Sequence, residues 1–358
     1  VKEILLNIQS KTTKVSLGNL TIGAGAPISI QSMTNTYTED IQATVDQIKA
    51  LEIAGCEIVR MAVPTMEAAQ AIKEIRKQTR IPLVADIHFD YRLALAAIDN
   101  GIDKVRLNPG NIGSDIKVQE VVKALKDRGI PVRIGVNSGS IEKSILDQFG
   151  GPTPEAMVAS ALRHVHLLEK NQFDQIVISL KSSHVPQMIK AYRMLANKVS
   201  YPLHLGVTEA GTYYQSSVKS AMGIGALLVD GIGDTIRVSV TGDPVQEISA
   251  AKAILNASEA RIMGLQIISC PTCGRCHVNL EQMVNQVERE LGHIEAPITI
   301  AIMGCAVNGP GEAREADIGI AGGKGEVLLF RKGIVVEKVP EADAVVRLKC
   351  EVLKLLGE

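Results

Sequence analysis

The sequence predicts an α/β protein: a (β/α)8 TIM barrel over residues 1–260, then a small α/β domain over residues 264–358. Three observations carry this. Eight apolar runs, at 28–34, 57–63, 82–88, 104–109, 131–137, 175–182, 202–208 and 235–241, each end in polar residues, with stretches of helical period between them. Their starts lie about 22 to 44 residues apart, room for one strand and one returning helix. Eight such units in series are the count of a closed barrel. A doubly wound open sheet is the competing architecture, but it usually has fewer strands and a glycine fingerprint. No G-x-G-x-x-G follows any of the runs, and no G-x-x-x-x-G-K-[ST] occurs.

Taken in order, residues 13–22 alternate around Gly18-Asn19 and predict a short hairpin. Ile41, Val45, Ile48 and Leu51 form a helical stripe that Thr38-Glu-Asp opens and Gly55 closes. Met157, Ala161, Leu162, Val165 and Leu168 form another, and Gly101 and Gly129 end two more helices. Pro82, Pro131 and Pro202 open strands. A helix at 244–258 completes the barrel, and 261–264 reads as a linker. The rhythm then changes to strand (265–269), cysteine loop, helix (280–291), strand (298–303), second cysteine loop and strand (317–321). A hairpin (326–330 with 334–339) turns at Lys332-Gly333, and a helix (341–356) closes the chain.

Composition narrows the function classes. The chain has 358 residues, 46% hydrophobic and 22% charged, so it can bury a sizeable core. Its formal net charge of -1 gives no general attraction to nucleic acid or anionic membrane. Tryptophan is absent and aromatics make up 3%, which argues against a base-stacking surface. No apolar run is long enough to span a bilayer, and the first residues lack a signal-peptide pattern. These features predict a cytoplasmic protein, where clustered cysteines serve as metal ligands or reactive thiols more often than as disulfides.

In such barrels the active site lies at the C-terminal strand ends. Polar residues gather there: Gln31, Asn35, Arg60, Asp86, His88, Arg106, Asn108, Arg133, Asn137, Lys181, His204, Thr208, Glu209, Arg237 and Ser239. Alternation puts Asp86 with His88, Arg106 with Asn108, Arg133 with Asn137, and Arg237 with Ser239 on shared strand faces. Four arginines and a lysine at one mouth repel one another unless an anion joins them. The guanidinium fork matches phosphate oxygens, so a compact diphosphate is the expected ligand. The plain alternative for any single arginine is an ordinary ion pair. Asp86 or Glu209 could simply neutralise a neighbour, and His204 could be a satisfied core histidine.

Four of the six cysteines stand in two short segments, Cys270-Pro-Thr-Cys273-Gly-Arg-Cys276 and Cys305-Ala-Val-Asn-Gly-Pro-Gly-Glu312. Three metal readings stand side by side. Cys270, Cys273, Cys276 and Cys305, with His277 adjacent, supply enough ligands for structural zinc. The first run matches ferredoxin spacing, although Cys305 is remote and followed by alanine. Cys270, Cys273 and Cys305 with Glu312 as an oxygen ligand would hold a cluster with one exchangeable iron. Cys56 and Cys350 are expected to be small hydrophobes.

Seven stretches resemble the bacterial 4-hydroxy-3-methylbut-2-enyl diphosphate synthase family. They are Ala26-Pro-Ile-Ser-Ile-Gln-Ser-Met-Thr-Asn35, Val84-Ala-Asp-Ile-His-Phe-Asp90, Arg106-Leu-Asn-Pro-Gly-Asn-Ile-Gly113, Arg133-Ile-Gly-Val-Asn137, Leu203-His-Leu-Gly-Val-Thr-Glu-Ala-Gly211, Cys270-Pro-Thr-Cys273 and Gly304-Cys-Ala-Val-Asn-Gly-Pro-Gly-Glu312. The resemblance runs nearly end to end. It implies an oxidoreductase that opens the ring of 2-C-methyl-D-erythritol 2,4-cyclodiphosphate reductively, with loss of water. Two electrons would arrive through a [4Fe–4S] cluster from reduced flavodoxin or ferredoxin. It implies Cys270, Cys273, Cys305 and Glu312 as cluster ligands, and Arg60, Arg106, Arg133, Lys181, Arg237 and Ser239 as holders of the diphosphate. Asp86, His88, Asn108, Asn137 and His204 would line the pocket, Glu209 would donate a proton, and Asn308 would reach the substrate from the cluster side. Cys276 departs from the family pattern and is expected to be a bystander. The contrasting class is a non-redox phosphate-binding barrel with a structural zinc module.

Topology adds a partner. The last barrel helix returns the chain to the face opposite the pocket, and a helix of that length spans roughly 20 to 25 Å. A head-to-tail homodimer, each chain placing its cluster over the other's pocket, is the expected solution.

Overall fold

The computed structural model describes residues 11–305 and 313–357. The chain divides into two compact units, Val1–Arg261 and Ile262–Glu358.

The first unit begins with a hairpin, β1 (Val15–Leu17) and β2 (Leu20–Ile22), which turns on Gly18 at a positive φ of 56°. Then follow β3 (Ser29–Met33), β4 (Ile58–Ala62), β5 (Leu83–Asp86), β6 (Lys104–Leu107), β7 (Val132–Asn137), β8 (Ile176–Lys181), β9 (His204–Leu205) and β10 (Thr235–Ile236). These pair in the order β8-β7-β6-β5-β4-β3-β10-β9, and a parallel bridge from Ile178 to Leu203 joins the two ends. The predicted barrel is therefore the observed one. Its helices are α1 (Ile41–Ile53), α2 (Met66–Gln78), α3 (Tyr91–Asp99), α4 (Asp115–Arg128), α5 (Lys143–Phe149), α6 (Pro154–Lys170), α7 (Val185–Ala196), α8 (Tyr213–Val229) and α9 (Val245–Ala257).

Local chemistry explains the boundaries. Asp40, not Thr38, caps α1 by accepting from Ala43 N. Thr38 instead donates to Ala62 O at 2.6 Å, tying the loop after β3 to the end of β4. Pro109, expected at the end of a strand, opens a 3-10 turn (Pro109–Asn111), because proline has no N–H for the ladder. The last two strands are two residues each, far shorter than their apolar runs. Arg237 N still bonds Leu205 O at 2.9 Å, but regular pairing ends as both segments turn into mouth loops.

Val15, Leu17 and Ile22 of the hairpin pack with Ile58, Val84 and Val177 from the N-terminal parts of β4, β5 and β8. Apolar packing thus seals one end of the barrel, and the polar strand ends face the other. Arg261, expected in a linker, belongs to the barrel: its guanidinium donates to Ile28 O and Glu57, both at 2.8 Å, at the N-terminal ends of β3 and β4. The chain leaves the barrel at the face opposite the polar strand ends.

The second unit is a five-stranded sheet in sequence order: β11 (Leu265–Ser269), β12 (Ile298–Met303), β13 (Ile318–Gly322), β14 (Glu326–Arg331) and β15 (Ile334–Pro340). The first three strands are parallel and the last two antiparallel. Helices α10 (Leu280–Leu291) and α11 (Ala344–Leu356) pack Val287, Leu291, Leu348 and Val352 against Ile300, Ile302, Ile318 and Ile320. Strand alternation sends Ala301, Met303, Ala321 and Phe330 to the opposite face, which forms its own small cluster. The turn between β14 and β15 holds Lys332 and Gly333 at φ 47° and 76°, the primed geometry that matches strand twist.

Candidate active site

At the C-terminal ends of the barrel strands lies a cavity of about 120 Å³, walled almost wholly by polar atoms. Arg60 comes from β4, Asp86 and His88 from β5 and its loop, Arg106 from β6, and Arg133 and Asn137 from β7. Lys181 ends β8, while Thr208, Arg237 and Ser239 come from the segments that follow β9 and β10. Parallel register keeps these groups at related heights: Asp86 pairs with Arg106, Arg106 with Arg133, and Asn137 with Lys181. A larger open groove beside α7 is lined by Val185, Ile189, Met194 and Met222. Its cations Lys190 and Arg193 are already paired with Glu155 and Asp230.

Each cation is held in place by specific contacts. Arg106 reaches Asp86 at 3.1 Å and Gly135 O at 2.9 Å, with His88 Nε2 3.1 Å from the same guanidinium. Gly135 makes this possible, since a Cβ there would sit 2.5 Å from Arg106 Nε. Arg133, 1% exposed, donates to Ser179 Oγ at 2.6 Å and leaves Nε and Nη2 without partners. Arg60 lies 3.8 Å from Asp86 and points two nitrogens at Met33 Sδ. Arg237 is gripped by Glu247, whose carboxylate also accepts from Ser32 Oγ at 2.7 Å and Val240 N at 3.1 Å.

Five cations here face two carboxylates, Asp86 and Glu247. Burial is the largest influence on Arg60 and drives it down to about 10, Arg237 and Arg106 adding to it against Asp86. Burial first, then neighbouring guanidiniums, holds Arg133 and Lys181 well below their ordinary values. For Asp86, burial alone would raise the carboxyl, but Arg60, Arg106, His88 and Arg133 outweigh it and hold it at about 2. Guanidiniums stay protonated, so the pattern marks a site short of negative charge. It can bind a compact, multiply charged anion.

In the second unit the parallel strands β11 and β12 deliver two thiols to one sheet edge. Cys270 follows β11 directly, and Cys305 lies two residues past β12. Gly304 N donates to Cys270 Sγ at 3.2 Å, the kind of contact that stabilises a ligating thiolate. Cys273 is exposed on the intervening turn. The Cys276 thiol donates to Val278 O at 3.2 Å and lies so close to Gly304 that a Cβ there would be 2.6 Å from its sulfur. Among the described residues no three His, Cys, Asp or Glu side chains already converge as a metal centre. The donor set of reduced thiols at one strand edge still suits a soft metal or an iron–sulfur group in its chemistry. Glu312 and Asn308 lie outside the described residues.

Comparison with known proteins agrees with this architecture. The chain matches the GcpE TIM-barrel domain over residues 12–252 and the GcpE protein C-terminal domain over residues 266–354. The chain belongs to the GcpE family. A relative from Geobacter sulfurreducens is 57% identical over 98% of this chain and 99% of its own length. One from Clostridium perfringens is 58% identical over 95% and 97%. Both are named 4-hydroxy-3-methylbut-2-en-1-yl diphosphate synthase (flavodoxin), an oxidoreductase. The alternative of a non-redox barrel with a zinc module is not favoured by this membership. In fold alone, the chain also resembles Plasmodium falciparum HPPK-DHPS solved with pterin and p-hydroxybenzoate. The TM-score is 0.50 at 12% identity, over 69% of this chain and 52% of that one.

Within this GcpE barrel the expected residues separate. Arg60, Asp86, His88, Arg106, Arg133, Asn137, Lys181, Arg237 and Ser239 meet at the cavity. Asn108, His204 and Glu209 do not line it. Asn108 is buried and accepts from Gly135 N at 2.9 Å, stapling β6 to β7. His204 is wholly buried, with Nδ1 3.2 Å from Thr235 Oγ1. Glu209 is exposed on the loop after β9, at a positive φ of 52°. Supporting residues that escaped the sequence reading include Met33, Ser179 and Glu247. A signal for Glu247 existed: it is the lone acid on the buried face of α9, with Ile248, Ala251 and Ile254. Cys56 is buried as expected, its thiol pushed up to about 12 mainly by burial. Cys350, expected to be a small hydrophobe in its helix, is exposed. Among the described residues no helix is long and apolar enough to cross a membrane.

Proposed function

We propose that the chain catalyses reductive ring opening and dehydration of 2-C-methyl-D-erythritol 2,4-cyclodiphosphate to 4-hydroxy-3-methylbut-2-enyl diphosphate. The observation that carries this reading is the cation-rich cavity, short of negative charge and sized for a compact anion, in a chain of the GcpE family. Arg60, Arg106, Arg133, Lys181 and Arg237 hold the diphosphate oxygens, and Ser239 and Asn137 add neutral hydrogen bonds. Asp86 keeps Arg106 and Arg60 aimed, and His88 sits beside Arg106 at the wall. Glu209, presented by the mouth loop, holds the proton that leaves with water. Asn108 and His204 support the pocket from beneath.

Cys270, Cys273 and Cys305, with Glu312, are the residues that would hold a [4Fe–4S] cluster, and Asn308 would face the substrate beside them. Such a cluster supplies the two electrons of the reduction. Reduced flavodoxin is the proposed donor, after the names of the relatives, and the reducing cytoplasm keeps the thiols free. Anaerobically purified protein should be brown, absorb at about 400 nm and carry about four irons per chain. Colourless protein holding stoichiometric zinc would sink the cluster assignment.

The chain leaves the barrel opposite the cavity, at Arg261. This supports a head-to-tail homodimer in which each cluster serves the partner's barrel. Mixing inactive Cys305→Ala and Arg133→Ala proteins should restore part of the activity. Absence of restoration, with subunit exchange demonstrated, counts against shared sites.

A further inference from the structure

Beneath the anion cavity lies a second layer of inward polar groups that the protein leaves unpaired. Lys104 opens β6, two residues below Arg106 on the same face. It is wholly buried, and its Nζ has no hydrogen-bond partner. Gln31, on β3, is 1% exposed with both amide atoms unpaired. His204, on β9, leaves Nε2 open, and Arg133, on β7, leaves Nε and Nη2 open. Below them, Ile58, Val84 and Val177 close the barrel against the hairpin.

The charges around Lys104 are nearly all of its own sign. Arg133 on β7 and Arg60 on β4 act on it directly, and Arg106 shares its strand. Lys104 in turn joins Arg133, Lys181 and Arg60 in acting on His204. Asp86, on β5, is already engaged by Arg106 at 3.1 Å and Arg60 at 3.8 Å. No carboxylate pairs with Lys104 among the described residues. A buried ammonium in that company is disfavoured relative to the amine.

We propose that Lys104 is a proton acceptor coupled to anion binding: in alkaline solution without the anion it is a neutral amine, and it takes one proton from solvent when a diphosphate binds above it. The step is balanced by that proton alone, amine plus H⁺ giving ammonium. It rests on reading the cavity as a diphosphate site. Burial first, then Arg133 and Arg60, pushes the Lys104 ammonium down to about 7. An anion that neutralises those guanidiniums removes part of the push and adds attraction. Below about pH 6 Lys104 is protonated with or without the ligand, and above about pH 7 binding draws a proton in, so affinity falls as pH rises.

The test is isothermal titration calorimetry of the full-length chain, prepared anaerobically and kept without reductant. The titrant is 2-C-methyl-D-erythritol 2,4-cyclodiphosphate at pH 8, in buffers of different ionisation heat. The cyclic diphosphate has no group that titrates near that pH, so proton uptake belongs to the protein. Lys181 and His204 are also pushed down by burial and can contribute, which is why the comparison is between proteins. Wild type should take up close to one proton more than Lys104→Met, and its affinity should fall more steeply with pH, by up to about tenfold per unit. Lys104→Arg, permanently charged, should lose the same uptake while keeping the cation, and it serves if the methionine variant does not fold. Equal uptake in wild type and variant overturns the role of Lys104 and leaves the diphosphate site standing. Failure of wild type to bind the cyclodiphosphate at all overturns that site and this proposal together.

Discussion

The barrel and the C-terminal sheet present their chemistry in opposite ways. The barrel carries its charges on or just beyond the strands themselves, deep enough that Arg133 and Lys181 are buried, and it fixes them with Ser179, Gly135 O, Asp86 and Glu247. The C-terminal sheet keeps its strands apolar and puts its thiols on the turns beyond them, where Cys273 is exposed. An anion site made from like charges must be rigid before the ligand arrives, or the cations would splay apart. A thiol site on turns can be completed by the group it binds, because metal–ligand bonds are strong enough to order the turns. One region is shaped by its protein neighbours; the other, in the proposed function, would be completed by the group it binds.

That contrast predicts effects of different size. Cys305→Ala should abolish turnover, by well over the roughly 100-fold that follows loss of an outer-shell contact to a metal ligand. Calorimetric binding of the cyclodiphosphate to the barrel should survive; loss of binding as well would mean that the two regions do not build their sites separately. Gly135→Ala drives a methyl into Arg106, and misplacing one anchoring cation by an ångström should lower kcat/KM roughly 100-fold with iron content unchanged. A fully active Gly135→Ala protein would show that Arg106 is not held by this close approach.

Two smaller effects concern stability. Asp86, held at about 2 in the folded barrel, contributes stability that is complete above its unfolded value near 3.8 and is lost as pH falls from about 4 toward 2. Thermal unfolding of wild type should therefore weaken over that window by on the order of 2 kcal/mol more than Asp86→Asn. Parallel acid profiles for the two proteins would remove the carboxylate from the account. Cys276→Ala should cost about 1 kcal/mol, one hydrogen bond and its packing, and leave iron content and turnover intact. Loss of iron in that variant would make Cys276 a ligand after all.

Much of the barrel was legible because its signal repeats eight times, and an error in one run does not disturb the count. Alternation alone brought Asp86, Arg106, Arg133 and Arg237 to one axis, and they do line one cavity. Alternation gives direction but not depth. His204 points inward as expected, yet β9 places it below the cavity, next to Thr235. Asn108 also follows the pattern and spends its oxygen on Gly135 N. Met33 and Glu247 were missed because their role is to hold other side chains: Met33 faces Arg60 from the neighbouring strand, and Glu247 grips Arg237 from the helix that follows it. The shortness of β9 and β10 was hidden for a similar reason. Their apolar runs continue into loop segments that stay buried without regular pairing.

In the proposed function a preformed cation pocket and a thiol-held redox group act on one diphosphate. Anaerobic incubation of the full-length chain with 2-C-methyl-D-erythritol 2,4-cyclodiphosphate and a chemical reductant, read by phosphorus NMR, tests it most directly. Loss of the cyclic diphosphate signals and growth of those of a linear diphosphate ester, 4-hydroxy-3-methylbut-2-enyl diphosphate, are expected in wild type and not in Cys305→Ala. Cyclodiphosphate that stays intact with brown, iron-loaded wild-type protein would contradict it.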